Sequence, residues 1–244
     1  MRIAIVSDIH GNLPALRAVI DDIARRGADR IVNLGDSLSG PLQPRETAAF
    51  LMAQDWVQLS GNHERQLIDY SPERRGPSDR YAHGEIGEPV FAWMKGLKHA
   101  QALDEEVFLC HGTPRSDLEP FLHTIDGGRM RPATEDEIGE RLGGIAAQVV
   151  ACGHTHVPRV VRTRRGQLLL NPGSVGLQAY EGDNRDYKVE NGSPDARYAF
   201  LERRGGAWTA ALIAVPYDHA GAAAMARQRE RPDWTAALAT GYLS

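Results

Sequence analysis

The chain has 244 residues, 42% of them hydrophobic, and a formal net charge of −4 at pH 7. The apolar content suffices for a sizeable core and excludes a chain disordered throughout, while the charge argues against a general cationic surface for non-specific nucleic-acid binding. Its two cysteines, Cys110 and Cys152, each end an apolar run and read as buried reduced thiols; no apolar run is long enough to span a bilayer, and no signal peptide precedes the first strand, so the expected location is the cytoplasm.

The run Ile3-Ala4-Ile5-Val6-Ser7-Asp8-Ile9-His10-Gly11-Asn12 opens the pattern. It is short, rich in β-branched residues and not alternating, so it reads as a central strand buried on both faces. Strand side chains alternate, which predicts that Asp8 and His10 point the same way at its carboxyl end. A carboxylate and an imidazole aimed at one point suit a metal ion. A helix follows, with Asn12 as N-cap, Pro14 just inside, Leu13, Leu16, Val19, Ile20 and Ile23 at helical spacing, and an end near Gly27. A second strand over 31–34 leads into Gly35-Asp36. A helix over 45–53 and a third strand over 56–59 lead to Ser60-Gly61-Asn62-His63. Strands alternating with helices across short links predict βαβ units and a parallel sheet.

Residues 70–99 break that rhythm. A polar, turn-forming run, Ser71 to Pro77, precedes one short amphipathic helix around 90–94. The stretch reads as an excursion over the surface and a candidate lid, with Arg74, Arg75, Arg80 and His83 available to line it or simply to be solvated. Strands over 101–103 and 107–110 flank an acidic turn, the second ending in His111-Gly112. A second excursion occupies 113–132. Thr134 with Glu137 forms a capping box that opens a short helix. A strand over 148–152 ends in Gly153-His154-Thr155-His156, and a hairpin over 160–170 leads to Asn171-Pro172-Gly173-Ser174. Residues 178–195 are polar and rich in Gly, Asp and Asn, and read as a mobile loop. An antiparallel pair over 197–201 and 208–215 and a helical tail from Ala220, divided at Pro232, complete a single domain of residues 1–244.

Polar residues thus recur at five strand ends: Asp8 and His10, Asp36, Asn62 and His63, His111, and His154 with His156. Any one of them alone reads more simply as a cap or turn residue. Together they are harder to dismiss, because five of the nine histidines fall at the ends of four inferred strands. Ligands of open α/β sheets bind beyond such ends, and burying several imidazoles and two carboxylates requires compensation that metal coordination supplies.

Asp8-Ile9-His10, Gly35-Asp36, Gly61-Asn62-His63-Glu64, His111-Gly112 and Gly153-His154-Thr155-His156 resemble, in order, the full motif set of the calcineurin-like metallophosphoesterases. The resemblance runs from Met1 through Ser174. Ser-Asp-Ile-His-Gly-Asn and Asn-Pro-Gly-Ser are most similar to the small bacterial and archaeal phosphodiesterase branch. It implies an α/β fold of two mixed β-sheets packed as a four-layer sandwich with helices. It implies two divalent transition-metal ions, manganese first and iron or zinc next. Asp8, His10 and His156 would hold one and Asn62, His111 and His154 the other, with Asp36 bridging. The implied reaction is hydrolysis of a phosphodiester in a small or nucleotide substrate by a hydroxide held between the metals, with His63 beside the phosphate as acid or charge stabiliser. Asn12 and Arg115 are candidates for substrate contact. Phosphomonoester and dinucleoside polyphosphate hydrolysis are the alternative activities. The run Gly35-Asp36-Ser37-Leu38-Ser39-Gly40 lacks the Asp and Arg of the Gly-Asp-x-x-Asp-Arg-Gly form of the protein Ser/Thr phosphatases, which argues against that activity. A non-catalytic scaffold is disfavoured, because the ligand set and His63 are intact. No basic stripe with interleaved aromatics marks a nucleic-acid surface.

Overall fold

The computed structural model describes residues 1–182 and 187–244. In the first βαβ unit, β1 (Arg2–Val6) is parallel to β2 (Arg30–Asn33), with Ala4 opposite Ile31 and Val6 opposite Asn33. Between them runs α1 (Leu13–Arg26), which starts where the Asn12 side chain accepts the Ala15 N–H and stops at Gly27, whose φ is 74°. A second helix, α2 (Pro44–Met52), returns the chain to β3 (Val57–Gln58), parallel to β2. Three helices follow: α3 (Asn62–Asp69), α4 (Pro77–Glu85) and α5 (Glu88–Lys95). The excursion over 70–99 therefore holds two helices where the sequence predicted one, and α3 was not predicted.

The second half contains β4 (Ala100–Ala102), β5 (Val107–Cys110), a hairpin of β6 (His123–Asp126) and β7 (Arg129–Pro132), and α6 (Glu135–Leu142) on its Thr134–Glu137 capping box. Next come β8 (Val149–Ala151), β9 (Arg159–Arg162) and β10 (Leu168–Asn171). The excursion over 113–132 contains the β6–β7 hairpin, which the sequence did not predict. The stretch expected to be a mobile loop carries a second hairpin, β11 (Ala179–Glu181) against β12 (Lys188–Glu190); the part of that expectation covering 183–186 lies outside the described residues. Two nine-residue strands, β13 (Ala196–Arg204) and β14 (Ala207–Val215), precede α7 (His219–Gln228) and α8 (Pro232–Thr240).

Two five-stranded mixed sheets result, ordered β14-β13-β1-β2-β3 and β4-β5-β8-β10-β9. Strand alternation sorts their side chains. Ile3, Ile5, Val32 and Leu201 of the first sheet meet Val107, Leu109, Val149 and Leu170 of the second in the inner core. Ala4, Val6, Tyr198 and Phe200 turn outward onto Leu16, Val19 and Ile23 of α1. Val150 and Leu169 turn outward onto Ile138 and Leu142 of α6. The order is helix, sheet, sheet, helix, and β1 is buried on both faces because each sheet face is covered. Full burial of each large aliphatic side chain contributes about 1.5–3 kcal/mol, so this inner layer is the rigid base of the site. Among the described residues no helix is long and apolar enough to cross a membrane.

Candidate metal centre

The loops that leave β1, β2, β3, β5 and β8 gather at one end of the two sheets. Asp8 and His10 do converge, but not by strand alternation: β1 ends at Val6, and both residues sit in the left-handed region, at φ 54° and 52°. Asp36, His154 and His156 do the same, at 53°, 68° and 58°. Apart from Glu230, these five are the only non-glycine residues with positive φ among the described residues. Left-handed backbone costs an L-residue roughly 1–2 kcal/mol, so it persists only where the surroundings fix it. Here backbone bonds fix it. The N–H groups of Asp8, His10 and Gly11 donate to the carbonyls of Gly35, Asp36 and Ser37 at 2.9, 3.0 and 2.9 Å, and Gly153 N–H donates to His111 O at 2.7 Å. Two glycines permit the close approach. A Cβ on Gly61 would lie 2.2 Å from Asp36 Oδ1, and one on Gly153 would lie 2.1 Å from Ser7 Oγ.

Two ligand clusters result. Asp8, His10 and His156 each bring a donor atom within 4.8 Å of the others, and Asp36, His111 and His154 form a second such group. Asn62 Oδ1 joins the second group, 3.2 Å from His111 Nε2. In three of the four histidine rings of these groups Nδ1 is spoken for. His10 Nδ1 donates to Ser39 O at 2.7 Å, His156 Nδ1 to Leu177 O at 2.8 Å and His111 Nδ1 to Leu34 O at 2.9 Å. Each ring therefore turns Nε2 inward. His10 Nε2 and His156 Nε2 face each other at 3.0 Å. Two imidazole lone pairs at that distance repel unless a proton or cation lies between them. Both carboxylate oxygens of the fully buried Asp8 lack a hydrogen-bond partner, although His156 Nε2 lies 3.4 Å from Oδ1. Buried acceptors left this way are costly. Convergent imidazole and carboxylate donors with uncompensated lone pairs fit a pair of divalent transition-metal ions.

The protonation pattern points the same way. Burial, reinforced by the neighbouring His156, lowers His10 to about 3. Burial and His111 lower His154 to about 4. Both rings are thus neutral at pH 7, the form in which an imidazole can offer a lone pair. Burial also disfavours charge on His111, but Asp36, 3.1 Å from its Nε2, outweighs this and raises it to about 9. Burial pushes Asp36 upward, yet His111 and His63 hold it well below the usual carboxylate range. His63, at the edge of the cluster, is raised to about 10: burial opposes its charge, while Asp36 and then Asp79 favour it.

Glu64 braces the centre. It is fully buried, and its carboxylate accepts the backbone N–H groups of Asp36, Ser37 and Gly61 at 2.8, 2.8 and 2.7 Å. It thereby ties the β2 loop to the start of α3. Glu64→Ala leaves three buried donors unpaired at about 1–3 kcal/mol each, so a loss of several kcal/mol in urea-unfolding free energy is expected; an unchanged urea midpoint would contradict this bracing role. Ser174 Oγ donates to Asp8 O at 2.7 Å, and Asn171 Nδ2 donates to Gly153 O at 2.6 Å, which gives Asn171-Pro172-Gly173-Ser174 a structural purpose.

All seven residues expected to bind metal, and His63, are brought together. The two expected substrate contacts are differently placed. Asn12 caps α1 and donates to Gly176 O and Tyr217 Oη at 2.9 and 3.0 Å. Arg115 is half exposed and paired with Glu119 and Glu140. Cys110 and Cys152 are buried free thiols, pushed up by burial, and pack beneath the loops. Sequence reasoning missed Asp79, whose Oδ1 accepts from His63 Nδ1 at 2.8 Å. It also missed Tyr180 and Trp234, whose rings lie 4.7 Å from His156 and 6.1 Å from His10. The Gly76-Pro77 start of α4 was the one local signal available for Asp79; the two aromatics had none.

The family model described as the calcineurin-like phosphoesterase superfamily domain matches residues 1–188. Phosphodiesterase YfcE of Escherichia coli is 29% identical over 72% of this chain and 80% of its own length. An uncharacterised protein of Methanocaldococcus jannaschii is 25% identical over 78% of this chain and 75% of its own. The solved metallophosphoesterase of Sphaerobacter thermophilus superposes with a TM-score of 0.76 at 25% identity, covering 99% of this chain and 100% of that one. A hypothetical protein of Pyrococcus horikoshii shares the fold at a TM-score of 0.73 and 16% identity, covering 100% of this chain and 99% of that one.

Proposed function

Because the chain belongs to the calcineurin-like phosphoesterase superfamily, a family of metal-dependent phosphoric ester hydrolases, we propose that it hydrolyses a phosphodiester bond in a small or nucleotide substrate at a centre of two divalent ions. The observation that carries this reading is the pair of adjoining candidate ligand clusters, with the His63 ring, paired to Asp79, at their edge. Asp8, His10 and His156 would hold one ion, and Asn62, His111 and His154 the other. Asp36, with two oxygens, would serve both. Nitrogen and oxygen donors without thiolate make Mn²⁺ the first expectation, ahead of Fe²⁺ and Zn²⁺. When bound, the ions supply Lewis acidity toward the phosphoryl oxygens and a water acidic enough to attack at neutral pH.

The protein's own groups do the rest. Neutral His10 and His154 offer lone pairs without first losing a proton. His111, whose Nε2 faces Asp36 and Asn62, would have to release its Nε2 proton to solvent before that nitrogen could serve as a ligand. Asp36 Oδ1 accepts the His63 N–H at 2.9 Å and so fixes the start of α3. His63 then stands beside the centre as the acid that protonates the departing oxygen. Diester rather than monoester substrates are supported by the likeness to phosphodiesterase YfcE, and the lack of the Asp-Arg pair after Asp36 argues against protein Ser/Thr phosphatase activity. The proposed setting is the cytoplasm.

A panel of bis- and mono-p-nitrophenyl phosphate, cyclic nucleotides, dinucleoside polyphosphates and single-stranded DNA tests this. The expected result is a kcat/KM for bis-p-nitrophenyl phosphate at least about tenfold above that for the monoester, a difference of roughly 1.4 kcal/mol in the barrier. The reverse order would replace the reading with a phosphomonoesterase. A preference for dinucleoside polyphosphates would move it to phosphoanhydrides.

A further inference from the structure

Asp79 is a buried carboxylate that no strand-end motif contains. It is 3% exposed and lies in the first turn of α4, with its Oδ1 2.8 Å from His63 Nδ1. A buried carboxylate persists only with a partner that compensates its lost hydration, and the imidazole supplies one. The contrast with the neighbouring rings is informative. Nδ1 of His10, His111 and His156 each meets a neutral backbone carbonyl, whereas Nδ1 of His63 meets an anion. Either kind of acceptor fixes which way a ring turns its Nε2. At His63 that acceptor is a side chain carried by another helix, α4, so the orientation of the ring follows where α4 sits.

The helix that presents Asp79 is anchored on several sides. Ala82 and Ile86 pack with Leu38, Leu67 and Met94. Arg45 of α2 pairs with Glu85 at 3.4 Å. Two arginines between α7 and α8 reach it as well: Arg231 donates to Ser78 Oγ at 3.1 Å, and Arg229 lies 4.8 Å over the Tyr81 ring while donating to the carbonyls of Pro41 and Leu42. The carboxyl-terminal helices lie beyond the span matched by the family model and hold α4 against the site.

We propose that Asp79 is the positioning residue of His63, aiming Nε2 at the leaving oxygen, so that proton delivery depends on how α4 is seated. The inference rests on the reading of His63 as the acid. In that step the attacking water forms the new P–O bond and loses a proton to solvent, the bond to the leaving oxygen breaks with its electron pair, and that oxygen takes the Nε2 proton. Asp79 stays ionised throughout, and His63 regains its proton from solvent.

The test compares two diesters, bis-p-nitrophenyl phosphate with a weakly basic leaving group and diphenyl phosphate with a more basic one. Asp79→Ala and the isosteric Asp79→Asn are measured alone, and Asp79→Ala also in a His63→Ala background, with metal content and circular dichroism recorded for each. The expected result is a kcat loss of at least about tenfold on diphenyl phosphate, a portion of the about 10²–10⁴-fold typical of general acids. On the nitrophenyl ester the loss is much smaller, metal content is unchanged, and the Asp79 change adds nothing once His63 is gone. Equal losses on both esters, or losses that multiply in the double variant, would overturn the proposal. If His63→Ala slows diphenyl phosphate and neither Asp79 variant does, the positioning role alone fails. If His63→Ala keeps the wild-type rate, the acid assignment fails and takes the positioning role with it.

Discussion

Asp36→Asn is expected to lower kcat on bis-p-nitrophenyl phosphate by about 10³-fold or more, beyond the loss of a single electrostatic donor, and to reduce bound metal from two ions per chain to at most one. Asparagine is the informative replacement. Asp36 sits at φ 53°, a conformation that Asn tolerates and that Ala adopts only with strain. The amide retains an oxygen in place of Oδ1 to accept the His63 N–H, so the start of α3 keeps its anchor. What the substitution removes is the negative charge that faces His111 Nε2 at 3.1 Å. Metal content by elemental analysis and kcat together decide the matter. A variant with both ions and normal turnover would remove Asp36 from the centre altogether.

His63→Ala is expected to lower kcat on diphenyl phosphate, whose leaving group is the more basic, by about 10²–10⁴-fold, the range of general acid catalysis, with both ions retained. Its Nδ1 faces Asp79 and not the ligand clusters, so metal content and rate should separate here where they fall together at Asp36. The pH dependence follows from the sign of the shift. Asp36 and Asp79 overcome burial and raise the ring from its ordinary 6.5 to about 10, so the acid form persists through neutral pH and is lost only as the pH rises through that value. The wild-type rate should fall on that alkaline limb, and the variant's profile should lack it. An alkaline limb that survives in His63→Ala would assign the proton to another group.

The candidate ligands were legible because short β-branched runs mark strands, and strands of an α/β sheet end at its site. The convergence of Asp8 and His10 has a different cause from the one their spacing suggests. Alternation along a strand does not bring them together, since β1 stops at Val6; left-handed backbone at both positions does. Nothing in an apolar pattern announces that conformation at a non-glycine residue. Two helices were missed because their composition is polar: α3 carries only Leu67 and Ile68 as apolar residues, and α4 reads Pro-Ser-Asp-Arg-Tyr-Ala-His-Gly-Glu. Tertiary packing against Leu38 and Met94 stabilises them rather than periodicity. The β6–β7 hairpin had a readable signal, Gly127-Gly128, both with positive φ at 56° and 77° as a two-residue hairpin turn requires. Asp79 shows the limit of motif reading, because its place at the site depends on how α4 docks and not on any spacing from His63.

Manganese titration of the metal-stripped protein, followed by turnover of bis-p-nitrophenyl phosphate, bears most directly on the two-ion centre. The stripped protein should be inactive, and turnover should rise to a plateau as the second equivalent of Mn²⁺ per chain binds. Full turnover in the presence of chelator, or a plateau reached at one equivalent, would contradict it.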